Sequence, residues 1–428
     1  DTTFDPGTGM NSLARGIGLL TDGRAVLVGS FTTYNGTTRN SVAMVNANGS
    51  LDTTANTGLA ARGEVIAMAR QAGGTLTSVD GTPRAGIARL NADGSNDATF
   101  TPGTGPNGQI SAVAAQQDGK IIISGDFTQY GGAASNRLAR LNSDGSLDTS
   151  FVVGTGPDSG ALSIALQTDG KVLLGGSFTI YNGTTGVNRL VRVNTDGSLD
   201  TSLNTGVSAA GAVQKVAVQP DGKIVIGGDF LTFNTVSRAR IARLNTDGTL
   251  DTSFDPGTGF GGRVKDFAIQ TDGKIVAVGS FTTFNTVARV RAARLNSNGS
   301  LDTTFDPGVG FPNEVAMVQP LPDGKYLVIG NSFTTVSGLP KNRIVRLRSN
   351  GTLDPKFVSG LGPVGSQASL RVILPHNGKY LIAGTFDTFN TSARSSIVSI
   401  SNITKAPLDF DGDGKTDWAI ARHYGGTG

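Results

Sequence analysis

Apolar residues along this chain come in short bursts, and nowhere do they recur with helical spacing. Val213 to Gln219 alternates, with Val216 and Val218 on one face, and this predicts a half-buried β-strand. Asp221-Gly222 follows as a tight turn, because Gly tolerates positive φ and an Asp side chain can bond back to the backbone. Ile224, Val225 and Ile226 then form a β-branched run that predicts a second strand. Gly227-Gly228 marks a place where another backbone comes close. After a polar loop, typified by Thr32 to Thr38, a third strand is expected at Ile241-Ala-Arg-Leu-Asn245, closed by a turn at Asp247-Gly248. Gly interrupts nearly every window, so the chain reads as all-β.

The same phrase returns at Asp22-Gly23, Gly73-Gly74, Asp118-Gly119, Asp169-Gly170, Asp272-Gly273, Asp323-Gly324 and Asn377-Gly378. With Asp221-Gly222 that makes eight copies, whose starts lie 51, 45, 51, 52, 51, 51 and 54 residues apart. A period in this range signals an array of one supersecondary unit. Units begin at Asp1, Asp52, Asp97, Asp148, Asp200, Asp251, Asp302 and Asp354, each opening on a linking segment such as Asp251 to Gly259. Three strands and a short linking strand per unit predict an eight-bladed β-propeller over residues 1–405, an open stack of β-layers being the other arrangement considered. The linking segment at Asp1 is expected to pair with the last strand near Ser396 to Ser401 and lock the ring.

Phe31, Phe127, Phe178, Phe230, Phe281, Phe333 and Phe386 hold one repeat position, and Phe4, Phe100, Phe151, Phe254, Phe305 and Phe357 another. Both sets read as inter-blade core. Arg89, Arg140, Arg192, Arg243, Arg294 and Arg346 recur in the third strand, where an acid or a carbonyl partner is expected, a ring of positive charge being the alternative. Unit two is six residues short and reads as lacking the loop that carries the Tyr-Asn-Gly phrase, which would leave one blade edge bare.

Composition narrows the function classes. Lys and Arg total 36 against 33 Asp and Glu, and no basic run suggests nucleic acid or a membrane surface. The absence of Cys excludes disulfides and thiolate metal sites, and no apolar run approaches the roughly 20 residues of a membrane span. His376 and His423, the two histidines, lack partners at triad or metal spacing, and no phosphate-cradling glycine loop is present. No catalytic or cofactor-binding residue is therefore assigned. Asn35, Asn182, Asn390 and Asn402 fall in N-x-[ST] sequences, for which turn chemistry competes with glycosylation. The opening at Asp1 in mid-phrase suggests a longer native polypeptide.

The tandem phrases QPDGKIVIGGDF and IARLNTDGTLDTSFDPGTG resemble the delta-60 repeats, bacterial propeller repeats of large secreted or envelope-associated proteins. The resemblance covers Asp1 to about Ile403 and implies no defined reaction. From Ala406 the style changes, and residues 406–428 form a short Asp-rich tail. Asp409, Asp411, Asp413 and Asp417 with the Lys415 carbonyl alternate around a Gly turn, a spacing that wraps oxygens around calcium. This loop resembles those of FG-GAP or VCBS-type repeats, and Trp418 to Ala421 would be the strand that follows. The expectation is a non-enzymatic structural or adhesive scaffold, extracellular or in a bacterial cell envelope, with self-assembly into fibres as one form. The alternative is a glycan- or protein-binding propeller module of a larger envelope protein, with Tyr34, Tyr130 and Tyr181 as contacts. Partners would be copies of itself, other surface proteins or glycans.

Overall fold

In the computed structural model, residues 1–3, 13, 20–23, 30, 40–41, 54–77, 80–81, 84–86, 88, 90–96, 204–208, 331, 358–361, 365–367, 377–378, 390–396 and 402–428 lie outside the described residues. Every element among the described residues is a β-strand, and no helix there is long and apolar enough to cross a membrane. Units one and three to eight each contain a three-stranded antiparallel sheet in which the second strand lies centrally. In unit five these are Val213–Val218, Ile224–Gly228 and Ile241–Leu244. The expected turn at Asp221-Gly222 joins the first two, with Gly222 at φ 81° and the Asp221 carboxylate accepting the Lys223 N–H at 3.1 Å.

First strands pack against first strands of the next unit, in order from unit three round to unit eight, and unit eight packs against unit one. They therefore form the inner wall of the ring, and in units four to seven their side chains are mostly half-buried while the second and third strands are buried throughout. The Gly pair works as expected. A Cβ on Gly228 would lie 2.1 Å from the Ala212 carbonyl oxygen, and one on Gly227 would press on Phe267 and Val264 of the next unit at 3.0 Å. The recurring phenylalanines are core: Phe127, Phe178, Phe230 and Phe281 are fully buried. The pairing expected for the linking segment at Asp1 falls on residues 1–3, outside the described ones.

The loop predicted at Thr32 to Thr38 is instead a two-residue β-hairpin, pairing Thr33–Tyr34 with Thr37–Thr38. Asn35 and Gly36 both sit at positive φ, 46° and 73°, the geometry that suits the twist of flanking strands. Equivalent hairpins stand in units three to seven. Unit two has one as well, Ser78–Val79 against Thr82–Pro83, so its blade edge is not bare there. The spacing from Gly74 to that hairpin puts the six missing residues upstream of Ser78. The hairpins of units one and three to seven are tied down by an aromatic residue or by the linking segment: the Tyr130 hydroxyl donates to the Gly145 carbonyl at 2.7 Å, and Pro106 bridges to Tyr130. Replacing Tyr130 with Phe leaves that buried carbonyl without its donor. The expected cost is about 1–3 kcal/mol, read as a lowered urea midpoint with an unchanged denaturant slope.

Candidate functional site

Two sets of charged side chains organise the ring, and only one of them follows the repeat. The repeating set lies at the outer edge, where each linking segment crosses from one unit to the next. Leu147 bridges back to Leu141 of unit three, whereas the Val152 N–H reaches the Asp196 carbonyl of unit four. At that crossing Arg140 donates through Nε to Asp148 at 2.7 Å, and Lys120 donates to the same oxygen at 2.9 Å. Ser150 satisfies the other oxygen with its N–H and hydroxyl, and Arg140 Nη1 reaches the Thr195 carbonyl of unit four. The guanidinium lies 4.7 Å from the centre of the Phe151 ring.

The arrangement returns at Arg192–Asp200, Arg243–Asp251, Arg294–Asp302 and Arg346–Asp354. In unit one Met44 stands in place of the Arg, and Arg24 takes the ion pair with Asp52 at 2.9 Å. The recurring arginines are thus buried partners of acids and not an exposed positive ring. Burial pushes the Asp251 carboxyl up, but hydrogen bonds from Ser253, Lys223 and Arg243 outweigh it and hold the group well below its ordinary 3.8. Asp148, Asp200 and Asp302 are lowered in the same way.

The second set departs from the repeat and lies at one mouth of the inner wall. Every described first strand carries a β-bulge near its start, as between Val213 and Lys215, Val264 and Asp266, and Val315 and Met317. Bulges re-aim side chains, and residues around these vary from unit to unit. Units three and four offer Ser111 and Ala112, then Leu162 and Ser163; units five and six offer Gln214 and Lys215, then Lys265 and Asp266. Lys215 donates to Asp266 at 2.5 Å and to the Phe267 carbonyl at 2.7 Å, both in unit six. Asp266 in turn accepts the Val318 N–H of unit seven at 3.0 Å. Above this tier Asp229 accepts from Arg263 Nε and, at 3.0 Å, from Gln214, and Lys265 donates to Gln214 at 3.3 Å. The hydrogen bond to Asp229 raises Arg263 further above its ordinary value. Sequence reasoning passed over this cluster, although Lys215 and Asp266 stand where Ala112, Ser163 and Met317 stand elsewhere.

Other expected site residues fare differently. Asp409, Asp411, Asp413, Lys415 and Asp417 lie outside the described residues. Among the described residues no group of three His, Cys, Asp or Glu is placed to hold a metal ion. Tyr34, Tyr130 and Tyr181 are at most 1 % exposed, with hydroxyls bonded to Gly49, Gly145 and Gly197 carbonyls. They cannot offer a stacking face to a glycan; the correction is that their rings fill the core beneath the hairpins. Asn35 and Asn182 sit at left-handed φ, with side chains accepting the N–H of Thr8 and Thr155, so turn and staple chemistry accounts for both. Asn390 and Asn402 lie outside the described residues.

The sequence profile described as "Domain of unknown function (DUF5122) beta-propeller" matches residues 20–54, 72–100, 116–151, 167–203, 219–254, 270–305 and 321–357, more than half of the chain. No curated protein matches the sequence. Among solved structures, the computationally designed Ika8 protein is similar at 11% identity and TM-score 0.47, covering 94% of this chain and 97% of that one. Virginiamycin B lyase from Staphylococcus aureus follows at 11% identity and TM-score 0.46, with 93% and 98% covered. The Neurospora crassa Pan2 WD40 domain gives 10% identity and TM-score 0.43, with 91% and 90% covered.

Proposed function

The chain belongs to the DUF5122 beta-propeller family, and on that premise we propose that it is an eight-bladed, non-enzymatic scaffold of an extracellular or cell-envelope bacterial protein. One observation carries this reading: the recurring third-strand arginines and linking-segment aspartates are engaged with each other in welding units three to seven together. Eight copies of the turn phrase, and the packing of unit eight against unit one, support the blade number. The delta-60 resemblance supports the location, and the loop from Asp409 to Asp417 would take calcium.

Copies of the same chain are the first partners proposed. Val236, Val287 and Leu339 are 42%, 45% and 54% exposed at the hairpin tips of units five to seven, where units one, three and four carry Thr or Ala. Sedimentation of the full chain tests the proposal. Millimolar calcium is expected to produce particles longer than one disc, and both Asp411→Ala and Leu339→Asp should reduce them. A strictly monomeric chain at high concentration with calcium present would count against self-assembly. A second reading, a binding module, is favoured by the charged cluster at the mouth of the inner wall, in place of the buried tyrosines.

A further inference from the structure

The charges at this mouth are not required for closing the ring. Units three and four fill the positions of Arg263, Lys265 and Asp266 with Gln109, Ser111 and Ala112, then Gly160, Leu162 and Ser163, and still pack against their neighbours. Partly buried ion pairs are weak contributors to stability, because desolvation offsets much of the attraction. Their grouping on units five to seven therefore calls for another reason.

The cluster also holds unused bonding capacity. The Arg263 side chain is 42% exposed and among the described residues hydrogen-bonds only through Nε, to Asp229, so that no described residue engages the two terminal nitrogens of its fork. Among the described residues the Lys265 ammonium makes a single long bond, of 3.3 Å, to Gln214. Glu314, at the position of Arg263 one unit further on, is half-buried, has no side-chain hydrogen bond among the described residues, and lies within electrostatic reach of Arg263. Asp229 and Gln214 hold the guanidinium in place before any ligand arrives, which lowers the ordering cost of binding.

We propose that the mouth between units five and seven binds a small ligand through a carboxylate, gripped by Arg263 and Lys265, with an adjacent hydroxyl or ammonium of the ligand donating to Glu314. A planar fork matches a carboxylate with two parallel hydrogen bonds. Balanced charge favours this class over phosphate: Lys215, Arg263 and Lys265 face Asp229, Asp266 and Glu314, so a dianion would meet Glu314 without surplus positive charge. The inference rests on the second reading above and is independent of the scaffold role. Uronic acids and amino acids share the required chemistry.

Calorimetric titration of the full chain with galacturonate and with glycine separates the two sources, with galacturonate methyl ester and glycinamide as probes lacking the carboxylate. Saturable binding by one acid, absent for its counterpart without the carboxylate, is the expected result. Arg263→Gln should weaken it about tenfold or more, Arg263→Lys less, and Glu314→Gln should weaken the probe whose donor is charged most strongly. Asp126→Asn, exposed on unit three, should leave affinity unchanged. Binding of neither acid, equal binding of the probes lacking a carboxylate or of inorganic phosphate, or an unaltered affinity in a folded Arg263→Gln variant would overturn the proposal. Binding that moves with Asp126 and not with Arg263 would do so too.

Discussion

Replacing Asp251 with Ala is expected to destabilise the propeller by about 3–5 kcal/mol, the cost of leaving a buried charge without its counter-ion. Asp251 and Arg243 are 6% and 9% exposed at their side chains, and the acid accepts bonds from Lys223, Arg243 and Ser253. Removing the carboxylate strands two cations at once. Arg243 would still be bound to the Ser297 carbonyl of unit six, so the guanidinium cannot swing into water without breaking the weld to the next unit. Urea unfolding followed by circular dichroism gives the measurement, and a loss below about 1 kcal/mol would show that the outer ion pairs are ornamental. Adding Arg243→Met to Asp251→Ala should recover part of the loss, since the pair then leaves together.

Acid is expected to act on all these sites together. Asp148, Asp200, Asp251 and Asp302 have folded-state values below the ordinary 3.8, which they regain on unfolding. Native carboxylates with lowered values bind fewer protons than unfolded ones. The stability they confer is therefore fully present above the unfolded value and is lost as pH falls through it towards the folded one. Stability measured by urea midpoint should stay level from neutral pH down to about pH 5 and fall increasingly steeply below about pH 4, with several units contributing. A midpoint that begins to fall near pH 6, or stays flat to pH 2, would contradict the role assigned to these aspartates. Asp251→Asn should shallow the acid limb, because that unit no longer has a proton to take up.

Most of the framework was legible because it repeats. Strand alternation at Val216 and Val218, turn chemistry at Asp221-Gly222 and the Gly227-Gly228 approach are local signals, and eightfold repetition made each one readable against the others. The Arg–Asp partnership was anticipated only as a partner of some kind, since the eight-residue spacing from Arg243 to Asp251 acquires meaning only when the strand folds back at Leu250. Two readings failed for physical reasons. Asn35-Gly36 reads as part of a polar loop because its flanking Thr residues suit solvent, although it is a strong two-residue hairpin signal. Tyr34, Tyr130 and Tyr181 looked like surface aromatics for the same reason, but the hairpin folds them inward onto a carbonyl. The charged mouth stayed hidden because averaging over repeats discards what differs between them, and a bulge shifts Lys215 and Asp266 out of simple alternation.

The crossing of each linking segment has a consequence at the level of heredity. Since the outer joint between neighbours is built from the same Arg, Asp, Lys and Ser across units three to six, cutting out or duplicating a stretch of gene about 51 codons long there would join matching halves of that joint. Unequal recombination between such stretches could lengthen or shorten the polypeptide by whole wedges, and the circumference would be limited by how many wedges can meet around one axis. The individual bulge residues, in contrast, would travel with their own wedge and carry their chemistry to a new address.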